Sequence, residues 1–113
     1  MPYNSPIFEF IETPTFTRNV ANFLDDDEYA SLQNYLNEYP GAGAVIPGSG
    51  GVRKLRWRGA GHGKRGGLRI IYYLWLAREE IWMLSIYGKN MRDNISAHIL
   101  KIMREAIEHE KDD

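Results

Sequence analysis

The side chains best suited to chemistry in this 113-residue chain are cations, and they are concentrated in one stretch. Between Val52 and Tyr73 stand Arg53, Lys54, Arg56, Arg58, Lys64, Arg65 and Arg69, half of the chain's 14 Lys and Arg residues. No Asp or Glu occurs between Tyr39 and Arg78. Leu55, Trp57, Ile70 and Ile71 alternate with these charges at strand spacing, which places the cations on folded surface. A field of one sign on a rigid surface costs self-repulsion. A polyanion such as RNA is the partner that offsets it.

Alternation over 52–58 puts Leu55 and Trp57 on one face of a strand with Arg53, and Val52, Lys54 and Arg56 on the other. If helices cover Leu55 and Trp57, Lys54 and Arg56 point to the open side. Arg69 joins them if the register places it opposite, and three converging cations make a phosphate site. Gly61-His62-Gly63-Lys64-Arg65-Gly66 matches G-x-G-x-x-G, but it joins two strands where a dinucleotide fingerprint must open a helix. A P-loop fails as well, because Arg65 follows Lys64 where Ser or Thr is needed. The segment reads as a hairpin loop whose Lys64 and Arg65 can follow a nucleic-acid backbone. His62 is either a solvated loop imidazole or a general base. Tyr72 reads as core. Tyr73 shares a face with Arg69, and either packs inside or stacks an RNA base. Lys89, after Gly88, is either solvated or turned toward the basic face. His98 and His109 read as surface residues of a last helix. There is no Ser–His–Asp grouping, no carboxylate pair near the cations and no metal-ligand set. Any reaction falls to Arg, Lys, Tyr and His62, and neither cofactor nor metal is expected.

The totals conceal this pattern. A net charge of -1 averages the basic centre with Asp25, Asp26, Asp27 and Glu28 on one side and Glu105, Glu108, Glu110, Asp112 and Asp113 on the other. An apolar content of 43% supports one core, so residues 1–113 read as a single domain. The absence of cysteine excludes disulfides and thiolate metal sites. The N-terminus lacks the pattern of a signal peptide, and the apolar run over 70–77 is far short of the roughly 20 residues that span a membrane. A cytoplasmic protein is expected.

The elements that must carry the cations follow from periodicity. Ile7, Phe8, Phe10 and Ile11 predict a first strand. Thr13-Pro14 predicts a helix start running toward Leu24, and Asp25–Glu28 a second start, with Tyr29, Leu32, Leu36 and Tyr39 on one face until Pro40-Gly41. The Gly- and Pro-rich segment 41–51 reads as a loop with a short extended piece at 44–46. Strands are expected over 52–58, 68–77 and 81–87, the second of them central because it is apolar on both faces. Arg78, Glu79 and Glu80 form the turn between the last two. Ser96 caps a final helix whose apolar face is Ile99, Ile102, Met103, Ala106 and Ile107. The class is α+β: a mainly antiparallel twisted sheet with helices packed on one face and the other face free.

The run V-R-K-L-R-W-R, then G-x-G-K-R-G-G-L-R-I-I-Y-Y, then S-I-Y-G-K-N resembles the RelE/HigB-type toxins of bacterial type II toxin–antitoxin systems, in the HigB-like branch. The resemblance extends from about Asp25 to the C-terminus and is most specific between Gly50 and Asn90. It implies a RelE-like microbial RNase fold and a ribosome-dependent, metal-independent endoribonuclease, or mRNA interferase. In that chemistry the 2′-hydroxyl attacks the adjacent phosphate, leaving a 2′,3′-cyclic phosphate and a 5′-hydroxyl. It further implies the ribosome and mRNA as partners, a cognate HigA-like antitoxin with a helix-turn-helix domain, and no membrane partner. By position, the catalytic residues would be Lys54, Arg56, Arg69 and Lys89. Lys54 or Arg56 would act as base, Lys54 the better because a guanidinium resists deprotonation. Arg69 would stabilise the phosphorane, and Lys89 would donate a proton or clamp the phosphate. Arg53, Arg58, His62, Lys64, Arg65, Tyr73 and Arg92 would bind RNA. The family's arginine and tyrosine after the last strand are not reproduced, so Lys89, Arg92 and Tyr73 compete as general acid. Two other readings fit a basic sheet: a non-catalytic RNA- or ribosome-binding module, and a toxin of the same fold acting on DNA gyrase.

Overall fold

Strand alternation and helix capping are both realised where the sequence places them. The structure is a computed structural model that describes residues 7–58, 67–91 and 95–112. In chain order the elements are β1 (Glu9–Glu12), α1 (Pro14–Val20), α2 (Asp26–Glu38), β2 (Ala44–Val45), β3 (Arg53–Trp57), β4 (Leu68–Trp75), β5 (Glu80–Gly88) and α3 (Ala97–Asp112). The architecture is α+β, with a five-stranded sheet in the order β1-β5-β4-β3-β2. Only the β1–β5 pair is parallel among the strand pairs described; the others are antiparallel.

Capping explains the first two helices. The Thr13 hydroxyl accepts from the Phe16 amide at 3.2 Å and donates to the Leu84 carbonyl at 3.0 Å, so one residue starts α1 and ties it to β5. Asp25 and Glu28 form a reciprocal capping box, the Glu28 amide donating to Asp25 Oδ1 at 2.8 Å and the Asp25 amide to Glu28 Oε1 at 2.9 Å. α1, α2 and the link between them bury Phe16, Leu24, Leu32 and Leu36 against Leu55, Ile70, Tyr72, Met83 and Ile86 on one face of the sheet. Tyr39, expected on that helix face, is instead the exposed C-cap residue of α2.

The opposite face is not wholly open. α3 lies on it, packing Leu100 and Ile107 against Val52, Ile71, Tyr73 and Leu84. The helix is rotated from the expected setting. Leu100, Met103 and Ile107 face inward, while Ile99 and Ile102 are each 46% exposed. The cause is a polar clamp: Tyr73 Oη donates to Glu108 Oε2, and Arg104 Nη1 donates to Glu108 Oε1 at 2.6 Å. The Tyr73–Glu108 bond crosses from β4 to α3 and so fixes the roll of the helix, while Arg104, on the same helix, orients the Glu108 carboxylate. A register shift between Ile71 and Tyr72 pairs them with Ser85 and Met83, so Leu84 is the extra residue of a bulge and adds to the core under α3. Among the described residues, no helix is long and apolar enough to cross a membrane.

Candidate functional site

Register decides which cations meet. Arg56 is paired directly with Arg69 across β3 and β4, and Arg69 directly with Tyr87 across β4 and β5. Arg56, Arg69 and Tyr87 therefore form a row across three strands, on the face that α3 covers farther along. Lys54 lies one step up, paired with Ile71 on the same face. Directly opposed residues have Cβ atoms about 5 Å apart, and like charges so placed destabilise a sheet. An anion across the row would relieve that repulsion.

Exposure separates these residues. Lys54 and Arg56 are exposed, and their side chains make no hydrogen bond or ion pair with a described residue. Arg69 and Tyr87 are half-buried and each takes part in a contact within the protein. Arg58 is exposed just beyond β3, with its Cγ close to Gly67. Gly67 has a φ of 71°, and a Cβ there would stand 2.8 Å from the Trp57 carbonyl oxygen, so only glycine lets β4 begin at this point. Lys89 is exposed just past β5. His62, Lys64, Arg65 and Arg92 lie outside the described residues.

Two expected RNA contacts are otherwise engaged. Tyr73 is 8% exposed under α3 and donates to Glu108, so its ring cannot stack a base. The reason is tertiary: α3 covers the part of the sheet that alternation alone leaves open. Arg53 points to the α2 side, where Nη1 donates to the Gly43 carbonyl at 2.7 Å and the Gly41 carbonyl at 3.2 Å. Its guanidinium is a loop clamp. Tyr87, which carries no such signal in local sequence, gains its place on the basic row only through the β4–β5 register.

A hollow of about 520 Å³ opens at the free end of β3, lined by Ala42, Ala44, Val45, Ile46, Pro47, Lys54, Leu55 and Arg56. Its outer wall is the segment 42–47, which is held rigidly. The Gly43 amide donates to Tyr72 Oη at 2.9 Å, and Tyr72 Oη donates to the Pro40 carbonyl at 2.8 Å. A Cβ on Gly43 would sit 2.9 Å from the Tyr72 ring, so glycine permits this close approach. On the far side the Ile46 amide donates to the Val52 carbonyl at 2.8 Å, and Ser49 Oγ donates to the Ile46 carbonyl at 2.6 Å while accepting from the Val52 amide at 3.0 Å.

No family model matches the chain. What the site can do rests on its own geometry: two arginines paired by strand register, an exposed lysine on the same face, and a preformed hollow at their edge. The arrangement can hold a phosphodiester and stabilise negative charge developing on it.

The tyrosines around the sheet make alkaline stability a check on this packing. Burial, then the hydrogen bond and charge of Glu108, push the Tyr73 phenol up to about 12. Burial first also raises Tyr29 and Tyr72. In the unfolded chain a tyrosine ionises near pH ~10. The folded state thus keeps protons that the unfolded state releases, and stability present below about pH 10 is lost as pH rises toward 12. Urea unfolding at pH 9 and pH 11 is expected to show a fall that Tyr73→Phe reduces. An equal fall in the variant would contradict the assignment.

Proposed function

We propose that this protein is the toxin of a type II toxin–antitoxin pair, an endoribonuclease that cleaves mRNA on the ribosome without a metal. The observation that carries this reading is the Arg56–Arg69 pairing, with Lys54 on the same face and no acidic side chain in the chain between Tyr39 and Arg78. The α+β architecture agrees with the fold that the sequence resemblance implies.

The reaction is an in-line displacement at phosphorus. Lys54 serves as the base that takes the proton of the 2′-hydroxyl, whose oxygen bonds to phosphorus as the bond to the 5′-oxygen breaks. Arg69 and Arg56 hold the non-bridging oxygens and stabilise the phosphorane, where charge is greatest. The leaving 5′-oxygen is protonated, giving a 2′,3′-cyclic phosphate and a 5′-hydroxyl. Tyr73 is unsuited as proton donor because its hydroxyl is buried against Glu108. In this reading the proton comes from Tyr87, at the β5 end of the row, or from Lys89, two residues farther along the chain. A cytoplasmic site of action, an antitoxin covering the basic face, and the ribosome as the setting for cleavage belong to the same proposal.

Induced expression followed by mapping of mRNA 5′-ends tests it. Cuts within translated reading frames are expected, and they should vanish when initiation is blocked. Growth arrest with intact mRNA would sink the nuclease reading. Cuts indifferent to translation would remove the ribosome from it.

A further inference from the structure

The hollow beside Lys54 has a wall that phosphate binding does not use. Ala44, Val45, Ile46 and Pro47 present apolar surface to it, and Val45 is 49% exposed. Ala44 is paired with Lys54, and its single methyl leaves the space that a larger residue would fill. β2 ends after two residues and occupies the edge of the sheet among the described strands, so no neighbouring strand uses its outer N–H and C=O groups. The Tyr72, Arg53 and Ser49 hydrogen bonds hold this wall in place before any ligand arrives. A volume of about 520 Å³ lies within the range of small-molecule sites, roughly 300–1,000 Å³.

We propose that this hollow is a nucleobase subsite. It seats one base of single-stranded RNA flat against the Ala44–Pro47 wall, with that nucleotide's phosphate on Lys54 and Arg56. The proposal rests on reading this face as RNA-binding, and goes beyond it by naming where a base lies. Charge selects the occupant: the rim carries two cations without carboxylate partners, which suits a nucleotide and disfavours a basic or purely apolar peptide. The strand edge offers a base edge both donors and acceptors.

The full chain, labelled for NMR, is titrated with adenosine 5′-monophosphate and with ribose 5-phosphate, which differ only in the base. Burying about 60 Å² of a base against such an aliphatic wall, at about 25 cal/mol per Å², corresponds to about tenfold tighter binding. The nucleotide is expected to bind about tenfold more tightly and to shift the Val45 and Ile46 methyl signals. Ribose 5-phosphate should shift only the Lys54 and Arg56 side-chain signals. Ala44→Leu, at an exposed position, should lower nucleotide affinity to that of ribose 5-phosphate at an unchanged melting temperature. Equal affinity of the two ligands, unmoved methyl signals, or full nucleotide affinity in Ala44→Leu would each overturn the base subsite and leave a protein side chain as the hollow's occupant. Cleavage is scored separately. A protein that cuts mRNA but ignores the nucleotide loses the subsite alone. One that takes the nucleotide in the hollow yet cuts nothing keeps the subsite and loses the nuclease reading.

Discussion

Arg69→Ala is expected to lower single-turnover mRNA cleavage on ribosomes by about 10²–10³, the usual effect of removing one fixed donor to a developing oxyanion. Lys54→Ala should cost a comparable factor, about 10²–10⁴, through loss of the base. Arg69 stands at the centre of the row, between Arg56 and Tyr87, so its removal takes the charge that both neighbours are arranged around. Lys54 is exposed and outside the core, so Lys54→Ala should keep the wild-type melting temperature and circular dichroism. The double variant should be little worse than the poorer single one, because residues acting on one transition state are not additive. Retention of wild-type cleavage by Lys54→Ala would remove the base from the mechanism. Loss of RNA binding in parallel with cleavage would favour a binding module.

Tyr72→Phe is expected to destabilise the protein by about 2–3 kcal/mol. Tyr72 is fully buried, and its one hydroxyl serves the Pro40 carbonyl and the Gly43 amide together. Removing it leaves two groups of the loop unpaired, at about 1–3 kcal/mol for a stranded buried group. For a domain of this size the melting temperature should fall by roughly 10 °C. Activity should fall as well, although Tyr72 faces away from Lys54, Arg56 and Arg69, because segment 42–47 is the outer wall of the hollow. Thermal unfolding and cleavage below the new melting temperature measure the two effects. A stable variant would show that the Arg53, Ser49 and Ile46 hydrogen bonds anchor the loop without Tyr72.

Much of this molecule is local and so is legible without coordinates. A period of two assigns Leu55 and Trp57 to one face of β3 and Lys54 and Arg56 to the other, whatever the neighbours are. Caps work within three or four residues, which is why Thr13, Asp25 with Glu28, and Ser96 mark the helix starts correctly; the Ile99 amide does donate to Ser96 Oγ at 3.2 Å. The apolar character of 68–75 on both faces places β4 at the centre of the sheet.

Other features depend on partners distant in the chain. Arg56 opposite Arg69, and Tyr87 beyond it, are products of hydrogen-bond register across three strands, and a slip of one residue would scatter them. The roll of α3 is set by Glu108, oriented by Arg104 on the same helix, meeting Tyr73 on β4, which turns Ile99 and Ile102 outward and covers part of an otherwise open face. Arg53 and Tyr73 have the same residue types as neighbours that reach solvent, but the Gly41–Gly43 carbonyls and the Glu108 carboxylate engage them first. Side-chain type and spacing thus established that a basic strand face exists. Ladder register and helix docking, both long-range, decided which of its charges stand together and which are spent on holding the fold.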